Sequence, residues 1–133
     1  MIVSSIFVVD DDPIVIFGIK KLLHKFKKNM EVHTFLNGEE AINAIHNYKN
    51  NSYQLPDIIF LDINMPVMDG WEFLEALLKI DMKKKININI VSSTIDPEDL
   101  KKIENYKNTI PHSVIFNRKP ITLIDIKKLT LAA

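Results

Sequence analysis

Three short apolar runs in this chain end on charged groups that a strand end has no structural need for. Ile6-Phe7-Val8-Val9 leads into Asp10-Asp11-Asp12, Ile58-Ile59-Phe60-Leu61 into Asp62, and Val114-Ile115-Phe116 into Asn117-Arg118-Lys119-Pro120. As parallel neighbours in one sheet, these runs would gather several carboxylates and one ammonium in the crevice where open α/β sheets bind ligands. Adjacent carboxylates repel one another unless something positive sits among them. Magnesium suits such a set, because it takes oxygen ligands in octahedral geometry, keeps several waters and uses one or two carboxylates. A carboxylate can also act as a nucleophile and form an acyl phosphate. Metal and lysine would then neutralise charge on the transferring group. Asp62, alone at the end of a central run, is the candidate nucleophile, and Lys119 is the counter-charge. Ser92-Ser93-Thr94 ends another strand and offers hydroxyls to a phosphoryl oxygen. The bland alternatives are helix capping for Asp10–Asp12, which needs only one of them, a surface position for Lys119 and a plain loop for the hydroxyl run.

Positioning those groups takes alternating strands and helices. The first strand ends at Asp10. The helix after it has Pro13 near its first turn and Ile16, Ile19, Leu22, Leu23 and Phe26 at helical spacing. A second strand is predicted from Met30 to Phe35, then a helix after Asn37-Gly38 carrying Ala41, Ile42, Ala44 and Ile45. Tyr48 to Pro56 reads as a polar loop. The third strand, Asp57 to Asp62, is apolar on both faces, as a central parallel strand should be. Asp69 and Glu72 have capping-box spacing, with Leu74, Leu77 and Leu78 as the buried stripe behind them. Gly70 is expected to relax the backbone at that helix entry, and Pro66 to end the strand before it. A fourth strand runs from about Ile86 to Ser92. Asp96-Pro97 opens a helix supported by Leu100 and Ile103. The fifth strand spans Ser113 to Phe116 and the last helix Ile121 to Leu131. Such alternation implies a parallel sheet covered on both faces.

The composition allows one ordinary globular domain. The 133 residues are 47% hydrophobic and 26% charged, and 17 Lys plus Arg balance 17 Asp plus Glu. A neutral chain gives no electrostatic reason to expect nucleic acid, and the lysine pairs, Lys27-Lys28 among them, read as solvated helix surface. With no cysteine, disulfides and thiolate chemistry are excluded. No apolar run approaches the roughly 20 residues that span a bilayer. Met1 to Ser5 lacks a basic n-region, so the expected location is the cytoplasm.

The strings Val8-Val9-Asp10-Asp11-Asp12-Pro13, Phe60-Leu61-Asp62-Ile63-Asn64-Met65-Pro66-Val67-Met68-Asp69-Gly70 and Lys119-Pro120 resemble the receiver domain of two-component response regulators. The resemblance covers residues 1–133 and implies a single receiver domain without an output domain. It also implies a five-stranded, doubly wound, flavodoxin-like sheet of strand order 2-1-3-4-5. Asp62 would be the phosphoacceptor. Asp11 would bind magnesium (or manganese) directly, Asp10 would assist through water, and Asp62 and the Asn64 carbonyl would complete the protein ligands. Ser92 would be the switch hydroxyl, standing where threonine is more usual. Phe116 would be the aromatic that moves with it, acting through packing because it has no hydroxyl, and Lys119 the phosphate contact. Asp12, Ser93 and Thr94 would tune the site, and the bond to Pro120 would be cis. The implied partners are a histidine kinase or histidine phosphotransfer protein and a downstream protein that meets the fourth helix, fifth strand and fifth helix. Nucleic acid and membrane are not expected, and the chain would be a monomer or a phosphorylation-dependent homodimer. Two other functions stay open. One is a haloacid dehalogenase-type phosphatase with Asp10 as nucleophile and Asp12 as acid, although Ile14 stands where that family wants threonine. The other is an unphosphorylated flavodoxin-like or pseudo-receiver binding module.

Overall fold

The computed structural model describes residues 3–26 and 29–132. The expectations placed on Met1-Ile2 and on Lys27-Lys28 fall outside the described residues. Five strands, β1 (Ser5–Val9), β2 (Glu31–Phe35), β3 (Ile58–Leu61), β4 (Asn87–Ser92) and β5 (Ser113–Arg118), form one sheet. They alternate with five helices, α1 (Pro13–Phe26), α2 (Gly38–Tyr48), α3 (Gly70–Leu78), α4 (Pro97–Thr109) and α5 (Leu123–Ala132). Every pairing is parallel and the order is β2-β1-β3-β4-β5. This is the doubly wound α/β arrangement that the strand-helix alternation implies.

Side chains alternate across the strands, so each central strand feeds two apolar layers. Phe7, Ile59, Leu61 and Ile88 meet Ile45 of α2, Phe73 of α3 and Ile103 of α4. Ile6, Val8, Ile58 and Phe60 meet Ile19 and Leu23 of α1 and Ile126 of α5. All of β3 is buried, which is why its sequence lacks the alternation of a half-exposed strand.

The helix starts follow local chemistry. Asn37 caps α2 by accepting from the Glu40 amide at 2.8 Å. Asp69 and Glu72 close a reciprocal capping box on α3 at 2.8 and 3.1 Å. Asp96 and Asp99 do the same on α4, with Pro97 following the cap. On the outer surface, Trp71 of α3 stacks on Tyr106 of α4 at 6.2 Å between centroids. Lys102 Nζ lies 5.0 Å from the Trp71 ring, and the Tyr106 hydroxyl donates to Glu75.

Some boundaries differ from the sequence expectation. β5 runs two residues past Phe116, because Asn117 and Arg118 pair with Val91 and Ser92. α5 begins at Leu123, since Thr122 and Asp125 form a box of their own: the Thr122 amide donates to Asp125 Oδ2 at 2.9 Å and the Asp125 amide to Thr122 Oγ1 at 3.2 Å. In α3 the buried stripe is Phe73, Leu74 and Leu77, with Leu78 only half-buried. Leu100, expected to support α4, is 49% exposed. The segment after α2 is not wholly polar in role, as Leu55 is fully buried in the core.

At the amino-terminal edge of the sheet, Asp57 accepts from the Ser4 and Ser5 amides at 2.8 and 3.0 Å and pairs with Lys84 at 2.7 Å. Lys84 also donates to the Ser52 and Leu55 carbonyls. Burial alone would raise the Asp57 pKa; the Lys84 hydrogen bond and the two amides outweigh it and hold the carboxyl below its ordinary value.

Candidate functional site

Asp10 and Asp62 are the residues that follow β1 and β3, whose last residues, Val9 and Leu61, are direct partners. The two aspartates therefore leave the sheet side by side. Their backbones are tied down: the Asp10 amide donates to the Phe35 carbonyl at 3.0 Å, and the Asp62 amide to the Val9 carbonyl at 2.9 Å. Asp10 is 2% and Asp62 6% exposed, whereas Asp11 faces solvent. One carboxylate oxygen from each of Asp10, Asp11 and Asp62 lies within 4.8 Å of the others.

Lys119 enters from the end of β5, where its amide donates to the Ser92 carbonyl at 3.0 Å. Its ammonium reaches Asp10 at 2.9 Å and Asp62 at 3.4 Å, so two of the three clustered carboxylates share one cation. Burial, then the neighbouring Asp10 charge, pushes the Asp62 carboxyl up to about 6, against the pull of Lys119. Burial also disfavours the charged form of Lys119, but its hydrogen bond and attraction to Asp10, and then Asp62, win and raise its pKa. Close-set oxygen donors carrying surplus negative charge fit a small hard cation such as magnesium.

Asp12 has a different task. Its Oδ1 accepts from the Ile14 amide at 2.9 Å, which caps α1, while its own amide donates to Asp10 Oδ1 at 2.9 Å. The cap thereby fixes the Asp10 carboxylate.

The loop from β3 to α3 is shaped by contacts the sequence reading did not foresee. A Cβ on Gly70 would lie 2.6 Å from the Asp62 carbonyl oxygen and 2.9 Å from Ile63 Cα, and no glycine among the described residues has positive φ. Gly70 is thus there for close approach rather than for backbone freedom. The left-handed residue is Val67, at φ 71°. Asn64 lies exposed in this loop, two residues beyond Asp62.

Ser92 ends β4 almost fully buried, its hydroxyl donating to the Thr94 carbonyl at 2.7 Å. Ser93 and Thr94 are exposed. Phe116 lies half-buried against the core, and the Lys119–Pro120 peptide is cis. The structure thus brings together Asp10, Asp11, Asp62 and Lys119 by side chain, and Ser92 by its strand-end backbone bond. The Thr122–Asp125 box, which holds the chain just after Lys119-Pro120, went unread although Thr-x-x-Asp is a cap pattern.

Comparison with known proteins points to one family. A family model described as "Response regulator receiver domain" matches residues 6–109. The transcriptional regulatory protein PrrA of Mycobacterium leprae is 34% identical over 91 residues, which is 68% of this chain and 36% of that protein. Hybrid signal transduction histidine kinase L of Dictyostelium discoideum is 30% identical over 128 residues, 96% of this chain but 7% of the kinase. The chain therefore spans only a minor part of these curated relatives. Among solved structures, a two-component response regulator from Cytophaga hutchinsonii superposes with a TM-score of 0.80 at 28% identity, covering 99% of this chain and 97% of that one. Among the described residues no helix is long and apolar enough to cross a membrane.

Proposed function

The chain belongs to the family of response regulator receiver domains, and on that premise we propose that Asp62 accepts a phosphoryl group from the phosphohistidine of a histidine kinase or phosphotransfer protein. An Asp62 carboxylate oxygen forms the new bond to phosphorus as the phosphorus–nitrogen bond breaks, and the electron pair leaves with the donor imidazole. The observation that carries this reading is the Asp10–Asp11–Asp62 cluster with the Lys119 ammonium divided between Asp10 and Asp62. Asp10, Asp11, Asp62 and the Asn64 carbonyl would hold magnesium. When bound, it neutralises charge on the carboxylates and the incoming phosphoryl oxygens.

Lys119 then exchanges its carboxylate contacts for a phosphoryl oxygen. The Ser92 hydroxyl gives up the Thr94 carbonyl for another, and Phe116 repacks into the space that this opens. Two discrete arrangements of these groups make a switch whose equilibrium the phosphoryl group biases. Leu100 on α4, Ile115 on β5 and Ile124 on α5 are exposed apolar side chains, which supports protein contact on that face as the output. Asp12, occupied in capping α1, is poorly placed to serve as the acid of a phosphatase.

The test is incubation with magnesium and acetyl phosphate, followed by mass spectrometry. One acid-stable, base-labile phosphoryl adduct is expected, absent from Asp62→Asn. An adduct that persists in that variant, or steady hydrolysis of phosphate esters through Asp10, would overturn the reading.

A further inference from the structure

On the side of the sheet facing away from the β3–α3 loop, α1 and the β5–α5 connection leave a groove of about 490 Å³ between them. Gly18 and Leu22 form one wall, and Pro120 and Ile121 the other. Its volume and apolar lining match a small-molecule site, in which a few polar groups fix orientation.

The polar groups here are all of one sign. Lys21, Lys25 and Lys119 line the groove and, among the described residues, no acidic side chain does. Lys119 is committed to Asp10 and Asp62. Lys21 and Lys25 are exposed and make no ion pair among the described residues. An apolar trough rimmed by two uncommitted ammonium groups is complementary to one kind of ligand.

Gly18 gives the second indication. It sits mid-helix, where glycine is unfavourable; it has no positive φ, and a Cβ there would meet nothing within 4 Å. Neither backbone nor packing requires it. What the missing side chain does is keep the groove open.

We propose that this groove binds a small anionic amphiphile, a carboxylate carrying a medium-length acyl or aryl body, with its head between Lys21 and Lys25. The same groove takes part of its wall from Lys119, whose ammonium serves Asp62.

Decanoate, kept below its micelle concentration and added to the full chain without phosphodonor, serves as the probe, followed by amide NMR. Saturable one-to-one shifts at Gly18, Leu22 and Ile121 are expected. Gly18→Leu, whose side chain enters open space, should abolish them and leave the rest of the spectrum intact. Lys21→Glu with Lys25→Glu, and separately replacement of decanoate by decanol, should each weaken binding at least tenfold. Shifts that never saturate, binding untouched by Gly18→Leu, or decanol that binds as well as decanoate would each overturn the assignment. Because no phosphodonor is present, failure here is distinct from a missing adduct at Asp62, which would overturn the phosphoacceptor reading instead.

Discussion

Gly70 illustrates how one atom can govern the site. The Asp62 carbonyl approaches so closely that an added Cβ would lie 2.6 Å away, and the Gly70 amide donates to Ile63 at 2.8 Å. Gly70→Ala must therefore push the peptide that carries Asp62. Overpacking of this kind costs about 2 kcal/mol, so denaturant unfolding should show a loss of that order, with slower adduct formation at Asp62. Asp11 differs, because it is exposed and removing its charge leaves the fold alone. Magnesium at a hundred times its dissociation constant should stabilise the wild type by about 2.7 kcal/mol. Thermal melts with and without a chelator should show that gain in the wild type and little of it in Asp11→Asn. An unchanged gain in the variant would remove Asp11 from the ligand set.

The helices and strands hold these residues through contacts of unequal legibility. Caps can be read locally, so Asp69 with Glu72 and Asp96 with Pro97 are visible as starts before any fold is known. The end of β5 is not, since Asn117 and Arg118 look like loop and become strand only because β4 offers Val91 and Ser92 as partners. Phe73 displaces Leu78 from the buried stripe for a similar reason: helical period gives the face, but the neighbouring strands set its phase. The Asp57–Lys84 pair joins residues 27 apart and has no local signature. The carboxylates and Lys119 could be found because each terminates an apolar run. Asp57 begins one, and so read as strand. With Lys84 removed, Asp57 would be left as a buried charge. Lys84→Met should cost about 3 kcal/mol, whereas Lys107→Met, which breaks an exposed pair with Glu104, should stay within about 0.5 kcal/mol. Urea denaturation of the two variants checks the contrast.

For the molecule as a whole, acid acts in opposing directions. His112 is buried, its Nδ1 accepts from the Ile86 amide at 3.0 Å, and burial, then Lys85, lowers its pKa below 6.5. The unfolded chain protonates this histidine first, so its contribution is lost as pH falls below about 6.5. Asp57, held below 3.8, keeps its contribution above that value and loses it at lower pH. Asp62 has the opposite sign. Raised from 3.8 to about 6, it is a penalty at neutral pH that protonation relieves, worth roughly 2.4 kcal/mol by pH 4. In chelator, the metal-free wild type should therefore lose less stability than Asp62→Asn between pH 6.5 and pH 4. Asp62→Asn removes the compensating gain and should weaken steadily over the same range. Parallel pH profiles for the two proteins would refute this balance.

The stack of Trp71 on Tyr106 has a practical consequence. Trp71 is the sole tryptophan of the chain. It follows Gly70, the residue packed against the Asp62 peptide, and its ring meets α4 through Tyr106 and Lys102. All the indole fluorescence of the unlabelled protein thus originates at one seam between the acidic loop and the helix beyond it. The molecule carries its own lamp, placed where a change at the sheet edge would first be seen.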